Sequence, residues 1–306
     1  MFAPPANVET TVFARLPEEL KLKPGETNEW VRGQPIGMPA RSLLEGPSFD
    51  RNGTLYCVDV VTGRIYTVNG RGEFNIVAEY DGWPNGLKIH QDGRIFIADY
   101  KNGIMVLDPA NGKVEPYLER HNLERFKAVN DLFFASNGDL YFTDQGLTGL
   151  HDPTGRVFRL DESGKLSCLM DNIPSPNGLV MNLDETALYV AVTRANSVWK
   201  LPFNHEGNVT KAGLHIQLSG GNGPDGLALD ENGGLLVAHV GFGAIWAMDA
   251  IGTPRLRINS CAGLHTTNIA FGVLDRNELY ITESGTGSIL KARVDIPGKP
   301  MYSHQA

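Results

Sequence analysis

Several features that mark large protein classes are scarce or missing in this chain. It has three cysteines in 306 residues, and their spacing matches no zinc-binding motif. All three, Cys57, Cys168 and Cys261, fall within predicted strands. We therefore expect buried, reduced thiols.

Clustered positive charge and long apolar segments are also lacking. The 27 Lys and Arg residues are outnumbered by 35 Asp and Glu residues, which gives a formal net charge of −8 with no basic run. This balance disfavours nucleic acid or an anionic membrane surface as a partner. No apolar run approaches the roughly 20 residues of a membrane helix, and no signal-peptide pattern opens the chain. We expect a cytoplasmic protein that is monomeric or weakly homo-oligomeric.

Two familiar catalytic patterns are missing. No serine lies in a Gly-x-Ser-x-Gly elbow, which disfavours an α/β-hydrolase nucleophile. Residues 221–226 match the glycine pattern of dinucleotide-binding sites, but a predicted strand follows them where that motif requires a helix. The chemistry of this chain must therefore come from another arrangement of residues.

The chain does contain a repeated element, in which a polar residue opens an apolar strand, a tight turn follows and a second apolar strand returns. The polar residues that open the six copies are Glu45, Asn85, Asn130, Asn177, Asp225 and Asn268. They are spaced by 40, 45, 47, 48 and 43 residues. A period in the forties with about four strands per unit is typical of a β-propeller. We predict an all-β fold, a six-bladed β-propeller in which residues 1–306 form a single domain.

The last repeat ends one strand short. After the strand at residues 288–292 no fourth strand follows, whereas residues 8–14 resemble the fourth strand of the other units. We predict that the N-terminal segment, residues 1–16, completes the last blade and closes the ring, which removes two exposed strand edges. Residues 21–40, with several Pro and Gly, are predicted to form a loop over one mouth of the channel.

Radial symmetry brings the opening residues of the repeats to one end of the central channel. Two carboxylates and two amide carbonyls are offered there by Glu45, Asn130, Asn177 and Asp225. Such hard oxygen ligands favour calcium or magnesium over zinc or copper. The two negative charges would repel strongly without a cation between them. As an alternative, each Asn or Asp before Gly is an ordinary turn residue, an explanation that does not suit Glu45.

Four segments, in order and at matching spacing, resemble the motifs of the SMP-30/gluconolactonase/luciferin-regenerating-enzyme family. They are residues 45–47, 129–131, 175–179 and 223–227, and the similarity extends over about residues 40–295. The resemblance implies a six-bladed propeller with one catalytic divalent ion, calcium first, with magnesium, manganese and zinc as alternatives. It also implies that Glu45, Asn177 and Asp225 are metal ligands. Asn130 would be a further ligand or a contact of the substrate.

The resemblance further implies a metal-dependent hydrolase that opens a lactone ring, either a sugar lactone or a related small lactone. A divalent cation can polarise the ester carbonyl, activate a water and stabilise the oxyanion. Asp225 is the candidate general base, with Asn130 as the second catalytic residue. Two alternatives remain: a propeller of the same fold that hydrolyses organophosphate or fluorophosphate esters, and a non-catalytic calcium-binding propeller.

Residues near the same face are candidates for substrate contact. These are Asn85, Asn130, His239, Trp30, Trp83 and Phe126. A structural role remains the alternative for His239. Sugar-lactone members of the family often carry an arginine two residues before the blade-three Asn, where this chain has Ala128 with Lys127 beside it. Ala128 tolerates a less polar ring than an aldonolactone. Asp99 and Asp144, at the ends of second strands, are expected to brace the ring by hydrogen bonds.

Overall fold

The strands of this chain form six antiparallel sheets arranged radially as a β-propeller. The structure, a computed structural model, describes residues 4–39 and 41–304. The six-bladed propeller predicted from the repeat is confirmed. In the described part of the chain, no helix is long and apolar enough to cross a membrane.

The first half of the chain forms two strands at the N-terminus, two complete blades and a small hairpin. The N-terminal strands are β1 (Ala6–Glu9) and β2 (Thr11–Arg15), and a single turn of helix, α1 (Glu29–Gly33), follows them. Blade one comprises β3 (Leu44–Phe49), β4 (Leu55–Asp59), β5 (Arg64–Val68) and β6 (Phe74–Glu79). Blade two comprises β7 (Pro84–Ile89), β8 (Ile95–Asp99), β9 (Gly103–Asp108) and β10 (Lys113–Leu118). The hairpin is β11 (Arg120–His121) with β12 (Glu124–Arg125).

The second half of the chain forms the other four blades. Blade three comprises β13 (Val129–Phe134), β14 (Leu140–Asp144), β15 (Gly155–Leu160) and β16 (Leu166–Ile173). Blade four comprises β17 (Pro176–Met181), β18 (Ala187–Val192), β19 (Ser197–Pro202) and β20 (Gly213–Gln217). Blade five comprises β21 (Gly223–Leu229), β22 (Leu235–Val240), β23 (Ala244–Met248) and β24 (Pro254–Asn259). Blade six comprises β25 (Thr266–Phe271), β26 (Glu278–Glu283) and β27 (Ser288–Arg293), with β2 as its outer strand.

The N-terminal segment pairs with two neighbouring blades. Strand β2 runs antiparallel to β27, with Thr11 opposite Lys291, and β1 runs parallel to β24 of blade five. Between them, the backbone N–H of Thr10 donates to the carbonyl of Asn259 at 3.1 Å. The sequence predicts one strand over residues 8–14, and the structure divides that stretch at Thr10.

The first two strands of each blade are mostly buried because they have neighbours on both faces. Every residue of β3, β7, β13 and β17 is buried, whereas most residues of β10 are exposed or only partly buried. Between the blades, large side chains such as Tyr66, Phe142 and Phe158 are fully buried. Burying a side chain of this size stabilises a fold by roughly 1.5–3 kcal/mol. The packing of the blades therefore holds the inner strands rigidly around the channel.

The tight turn between the first two strands of blade two lies at residues 91–93. The backbone N–H of His90 donates to the carbonyl of Arg94 at 2.9 Å, which leaves three residues in the loop. Gly93 ends that loop at φ +94°, a conformation that favours glycine.

The segment before blade one carries the short helix α1 where the sequence predicts only a loop. Asn28 caps it, because its Oδ1 accepts from the Val31 N–H at 3.0 Å, and its Nδ2 donates to the Val61 carbonyl at 2.7 Å. Trp30 is buried against Leu43 and neighbouring side chains of blade one. The helix is thereby fixed to the propeller.

The cysteines differ from their predicted environment in two of three cases. Cys57 lies in β4 and is fully buried, as expected. Cys168 in β16 and Cys261 in the loop after β24 are exposed. The outer strands and their loops face solvent, so a position in or near a strand does not ensure burial here.

Candidate metal and substrate site

The pairing of strands shows which residues occupy equivalent positions at the channel mouth. The first residue of β3 pairs with Asp59, and that of β13 pairs with Asp144 at the end of β14. In each blade, we call the residue that directly follows the equivalent paired residue of the first strand a ring position. These positions are Glu45, Asn85, Asn130, Asn177, Asp225 and Thr267. All six line one cavity of about 770 Å³, the mouth cavity.

The sixth ring position is Thr267, whereas the sequence analysis places Asn268 there. Thr266 pairs with Glu283, so the equivalent of Asn130 in this blade is the next residue, Thr267. Asn268 lies one residue further into the channel, in the layer of Asp131. The other four blades contribute glycine to this layer, namely Gly46, Gly86, Gly178 and Gly226.

Those glycines make room for the two polar side chains of the layer. A Cβ on Gly86 would overlap the Oδ1 atom of Asp131, and a Cβ on Gly226 would overlap the Oδ1 atom of Asn268. Glycine is therefore a steric requirement at both positions. It lets Asp131 and Asn268 lie beneath the ring, close to the ring residues.

Hydrogen bonds hold the Glu45 carboxylate from below. Its Oε2 accepts from the backbone N–H of Gly46 at 2.8 Å and from Nδ2 of Asn268 at 2.9 Å. The same Asn268 amide reaches Oδ2 of Asp131 at 3.3 Å, and the Lys88 ammonium lies 3.9 Å from Oδ1 of Asp131. Both hydrogen bonds go to Oε2 of Glu45. They fix the orientation of the carboxylate and do not involve its Oε1.

Two buried carboxylates of this site have raised pKa values. Burial, with the nearby Asp131 charge, raises the pKa of Glu45 to about 7. Burial also raises the pKa of Asp225 well above its ordinary value, and the charges of Glu45 and Asp131 add to the effect. Buried like charges disfavour ionisation of both groups. A bound cation would reverse that balance and favour the ionised forms.

Asn130 presents an amide oxygen without a partner. Its Nδ2 donates to Tyr100 Oη at 2.9 Å and to Gln145 Oε1 at 3.0 Å. Its Oδ1 is buried and accepts no hydrogen bond from any residue in 4–39 or 41–304. Buried polar atoms are nearly always satisfied in folded proteins, so this oxygen is free to bind a ligand of another kind. An oxygen of this type fits a hard cation.

The composition of the site suits calcium or magnesium. Among the residues that the structure describes, no group of three or more His, Cys, Asp or Glu side chains is placed to hold a metal. The ring positions contain only two acids, Glu45 and Asp225, and the Asn177 side chain is near enough to Asp225 to act against the rise in the pKa of that carboxyl. The remaining oxygens of the ring come from amides and a hydroxyl. Oxygen-only donor sets of this kind are typical of calcium and poor for zinc.

Comparison with known proteins identifies the family of this propeller. Residues 43–285 match the SMP-30/Gluconolactonase/LRE-like region. The chain belongs to the SMP-30/gluconolactonase/LRE-like family. This confirms the resemblance carried by the four sequence motifs.

Curated and solved relatives of this SMP-30/gluconolactonase/LRE-like chain extend the comparison. The lactonase drp35 of Staphylococcus epidermidis is 29% identical over 249 residues, which are 77% of this chain and 74% of that protein. Regucalcin of Agrobacterium tumefaciens, a calcium-binding protein, has 22% identity and a TM-score of 0.75 over 97% of this chain and 99% of its own. A gluconolactonase of Xanthomonas campestris has 23% identity and a TM-score of 0.73, covering 84% of this chain and 86% of its own. The two solved structures establish the shared fold.

The structure brings some of the predicted substrate contacts of this SMP-30/gluconolactonase/LRE-like chain together at the mouth cavity. Asn85, Asn130 and Trp30 line it. Three other candidates, Trp83, Phe126 and His239, are not among the described residues that line it.

The three candidates outside the mouth cavity have structural contacts instead. The His239 ring is buried, stacks on Phe242, and lies 2.9 Å through its Nε2 from the carbonyl of Gly220. Phe126 packs with its edge against Phe142 and Phe158, at 5.3 Å between ring centroids in both cases. Trp83 packs beside the Trp30 cluster. The structural alternative for His239 therefore agrees with its contacts.

Two residues that line the mouth cavity lie one position after residues that the sequence pattern singles out. The sequence pattern singles out Asp99 and Asp144 at the ends of second strands. The residues immediately after those two, Tyr100 and Gln145, line the mouth cavity. Asp99 and Asp144 instead accept hydrogen bonds from backbone N–H groups, at 2.8 Å from Lys101 and from Ala128 respectively, which is the bracing role predicted for them. Strand alternation, applied one residue further, would have identified the lining residues.

The segment just before Asn130 offers no cation to the mouth cavity. Ala128 is buried, and the Lys127 ammonium donates to the Thr154 carbonyl at 2.7 Å and to its hydroxyl at 2.5 Å. A different basic residue, Arg194, lines the mouth cavity from the turn after β18. No motif in the sequence points to it.

Proposed function

We propose that this chain hydrolyses a small lactone at the mouth cavity with one divalent cation, calcium first, held by Glu45, Asn130, Asn177 and Asp225. The observation that carries the proposal is the unpartnered Oδ1 of Asn130, which lies in a ring that also contains two buried carboxylates with raised pKa values. A cavity of about 770 Å³ lies in the range of small-molecule sites. Relatives with lactonase activity in their names support the same reaction.

In the proposed mechanism each residue of the site has a separate role. When bound, the cation polarises the lactone carbonyl and lowers the pKa of a nearby water. Glu45 and Asp225 balance its charge, and Asn130 and Asn177 direct neutral oxygens at it. Asp225 accepts the proton of the attacking water and returns it to the departing ring oxygen. The buried positions of Glu45 and Asp225 strengthen their electrostatic contacts.

The test is a pH-indicator assay over sugar, aliphatic and aromatic lactones with EDTA-treated protein and added Ca²⁺, Mg²⁺, Mn²⁺ or Zn²⁺. Turnover that EDTA removes and one of these ions restores is the expected result. The same assay is run on a fluorophosphate and a phosphotriester. Turnover on these two compounds alone would replace the proposal with an esterase that acts on phosphorus centres. Calcium binding measured by calorimetry, with no turnover on any of these compounds, would replace it with a calcium-binding propeller.

We also propose a cytoplasmic protein, monomeric or weakly homo-oligomeric, in which residues 1–306 form a single domain, acting on a free small molecule without nucleic acid or membrane. The net charge of −8 supports the exclusion of anionic polymers. Light scattering after size exclusion tests the monomer, for which a mass near 33.4 kDa is expected.

A further inference from the structure

One charged side chain in the mouth cavity has no task in the proposed mechanism. Arg194 is the only Lys or Arg among the described residues that line it. Most arginines of the chain are paired with acids; Arg156, for example, lies 2.5 Å from Asp144. Within residues 4–39 and 41–304, Arg194 forms neither an ion pair nor a side-chain hydrogen bond. Its guanidinium is therefore available to a ligand.

The backbone under Arg194 is anchored on both sides. It belongs to the 3₁₀ turn Thr193–Ala195 directly after β18. The Thr193 hydroxyl donates to the carbonyl of Pro224 at 2.8 Å, and the Thr193 N–H donates to the carbonyl of Ser175 at 3.1 Å. These bonds tie the turn to the segments that carry Asp225 and Asn177. The position of Arg194 relative to the ring is thus built into the fold.

The side chain extends along one wall of the mouth cavity. Its Cγ lies 3.6 Å from the place where a Cβ on Gly149 would stand, beside the His151 ring. Its positive charge is near enough to Asp225 to act against the rise in the pKa of that carboxyl. The two lining acids, Glu45 and Asp225, are assigned to the cation in the proposed function. An anion that lies between the cation and Arg194 would therefore be attracted from both ends.

We propose that Arg194 forms a subsite for an anionic substituent, so that the substrate is a lactone carrying a carboxylate or a phosphate beside its ring. The inference rests on the proposed function. Guanidinium groups bind both anions through paired hydrogen bonds in one plane, which an ammonium cannot reproduce. The substrate would place its ring carbonyl towards the cation at the ring positions and its charged group towards blade four.

The experiment compares two lactones that differ only in charge, the γ-carboxylate of γ-butyrolactone and the corresponding carboxamide. We expect Arg194→Gln to lower the ratio of kcat/KM for the carboxylate over the carboxamide by roughly 10- to 100-fold, mainly through KM. Arg194→Lys should restore part of the ratio. The control Arg120→Gln removes the same charge from an exposed hairpin and should leave the ratio unchanged. An unchanged ratio in Arg194→Gln would overturn the subsite.

A binding measurement tests the Arg194 subsite independently of lactone hydrolysis. Tetrahydrofuran-2-carboxylate has the ring and the charge but no ester, and inorganic phosphate serves as the second probe. Calorimetry on the calcium-loaded protein should show that Arg194→Gln weakens at least one probe about 10-fold, and the affected probe identifies the anion. If this holds while no lactone is hydrolysed, the proposed reaction fails and the subsite stands. Equal binding by wild type and Arg194→Gln would refute the subsite even if lactones are hydrolysed.

Discussion

The side-chain amide of Asn130 donates to the hydroxyl of Tyr100 across the boundary between blades two and three, with 2.9 Å between Nδ2 and Oη. The Tyr100 hydroxyl in turn donates to Gln145 Oε1, which also accepts from Asn130. Gln145 Nε2 then donates to the Ser175 hydroxyl at 2.9 Å. The acceptors of this network hold the nitrogen of Asn130, and its buried oxygen is left without a partner among the described residues.

Removal of the Tyr100 hydroxyl should therefore weaken the cation site without removing a ligand. In Tyr100→Phe, one of the two acceptors for Asn130 Nδ2 is lost, and the amide gains freedom to rotate. We expect calcium affinity, measured by calorimetry, to fall about 10-fold, as is common when a group that orients a ligand is removed. Tyr117→Phe, on an exposed tyrosine of blade two, is the control. The same calcium affinity in Tyr100→Phe and wild type would contradict this role.

Asp225 is expected to serve both as a ligand and as a base, and two substitutions separate these roles. Asp225→Asn keeps an oxygen for the cation but cannot take a proton, so turnover should fall by at least about 100-fold with calcium binding partly kept. Asp225→Ala loses the oxygen as well and should bind calcium more weakly than Asp225→Asn. The exposed Asp171→Asn controls for the loss of one negative charge. Near-wild-type turnover in Asp225→Asn would remove Asp225 as the base.

The sequence allows the six blades and five of the six ring positions to be predicted. At four of them an Asn-Gly, Asp-Gly or Glu-Gly pair marks where a strand approaches the axis, and Asn130 follows from the period of the repeat. Blade six has Thr-Thr-Asn-Ile at this place, where no glycine marks the position, so Asn268 is assigned although the ring residue is Thr267, one residue earlier. His239 fails for a related reason. It precedes the lining residue Val240, and strand alternation turns its ring into the protein.

Other parts of the site depend on contacts that a linear pattern does not reveal. Arg194 sits in an irregular turn, and its place at the mouth cavity depends on bonds from Thr193 to two other segments. Helix α1 has only five residues, too few for a helical period to be visible. Its capping residue Asn28 was the available signal.

The raised pKa of Glu45 predicts a pH dependence of stability in metal-free protein. With a folded pKa of about 7 and an ordinary value of 4.5, the folded state binds more protons than the unfolded state between these two values. Stability from this group is therefore complete below about pH 4.5 and is lost as the pH rises through about 7. The buried Asp225 acts in the same direction.

Chemical denaturation in EDTA at about pH 5 and about pH 8 measures this effect through the difference between wild type and Glu45→Gln, which cancels the contributions of groups that do not interact with Glu45. Relative to the variant, wild type should lose about 2 kcal/mol of unfolding free energy between the two pH values. Glu45→Gln should also lose calcium affinity. The exposed Glu19→Gln is the control and should follow wild type. A difference between wild type and Glu45→Gln that does not change with pH would contradict the prediction.

The N-terminal strands should contribute unequally to stability. Strand β2 completes the sheet of blade six; Ala14 within it and Leu16 just after it are buried, and Phe13 packs against Tyr280 at 5.1 Å between ring centroids. The residues of β1 are largely exposed. Deleting residues 1–16 should thus lower Tm sharply, by roughly 10 °C, because several kcal/mol of burial is lost and the edge of β27 is uncovered.

Deleting residues 1–10, which removes β1 alone, is the matched comparison and should lower Tm by only a few degrees. If the longer deletion does not yield folded protein, Leu16→Ala provides a second measure, with an expected loss of about 2–5 kcal/mol because it leaves a cavity beside Leu44 and Tyr66. Equal Tm values for the two truncated proteins would show that β2 adds no stability beyond β1. In that event the three strands β25, β26 and β27 would suffice for blade six, and the ring would not depend on its N-terminal strand for closure.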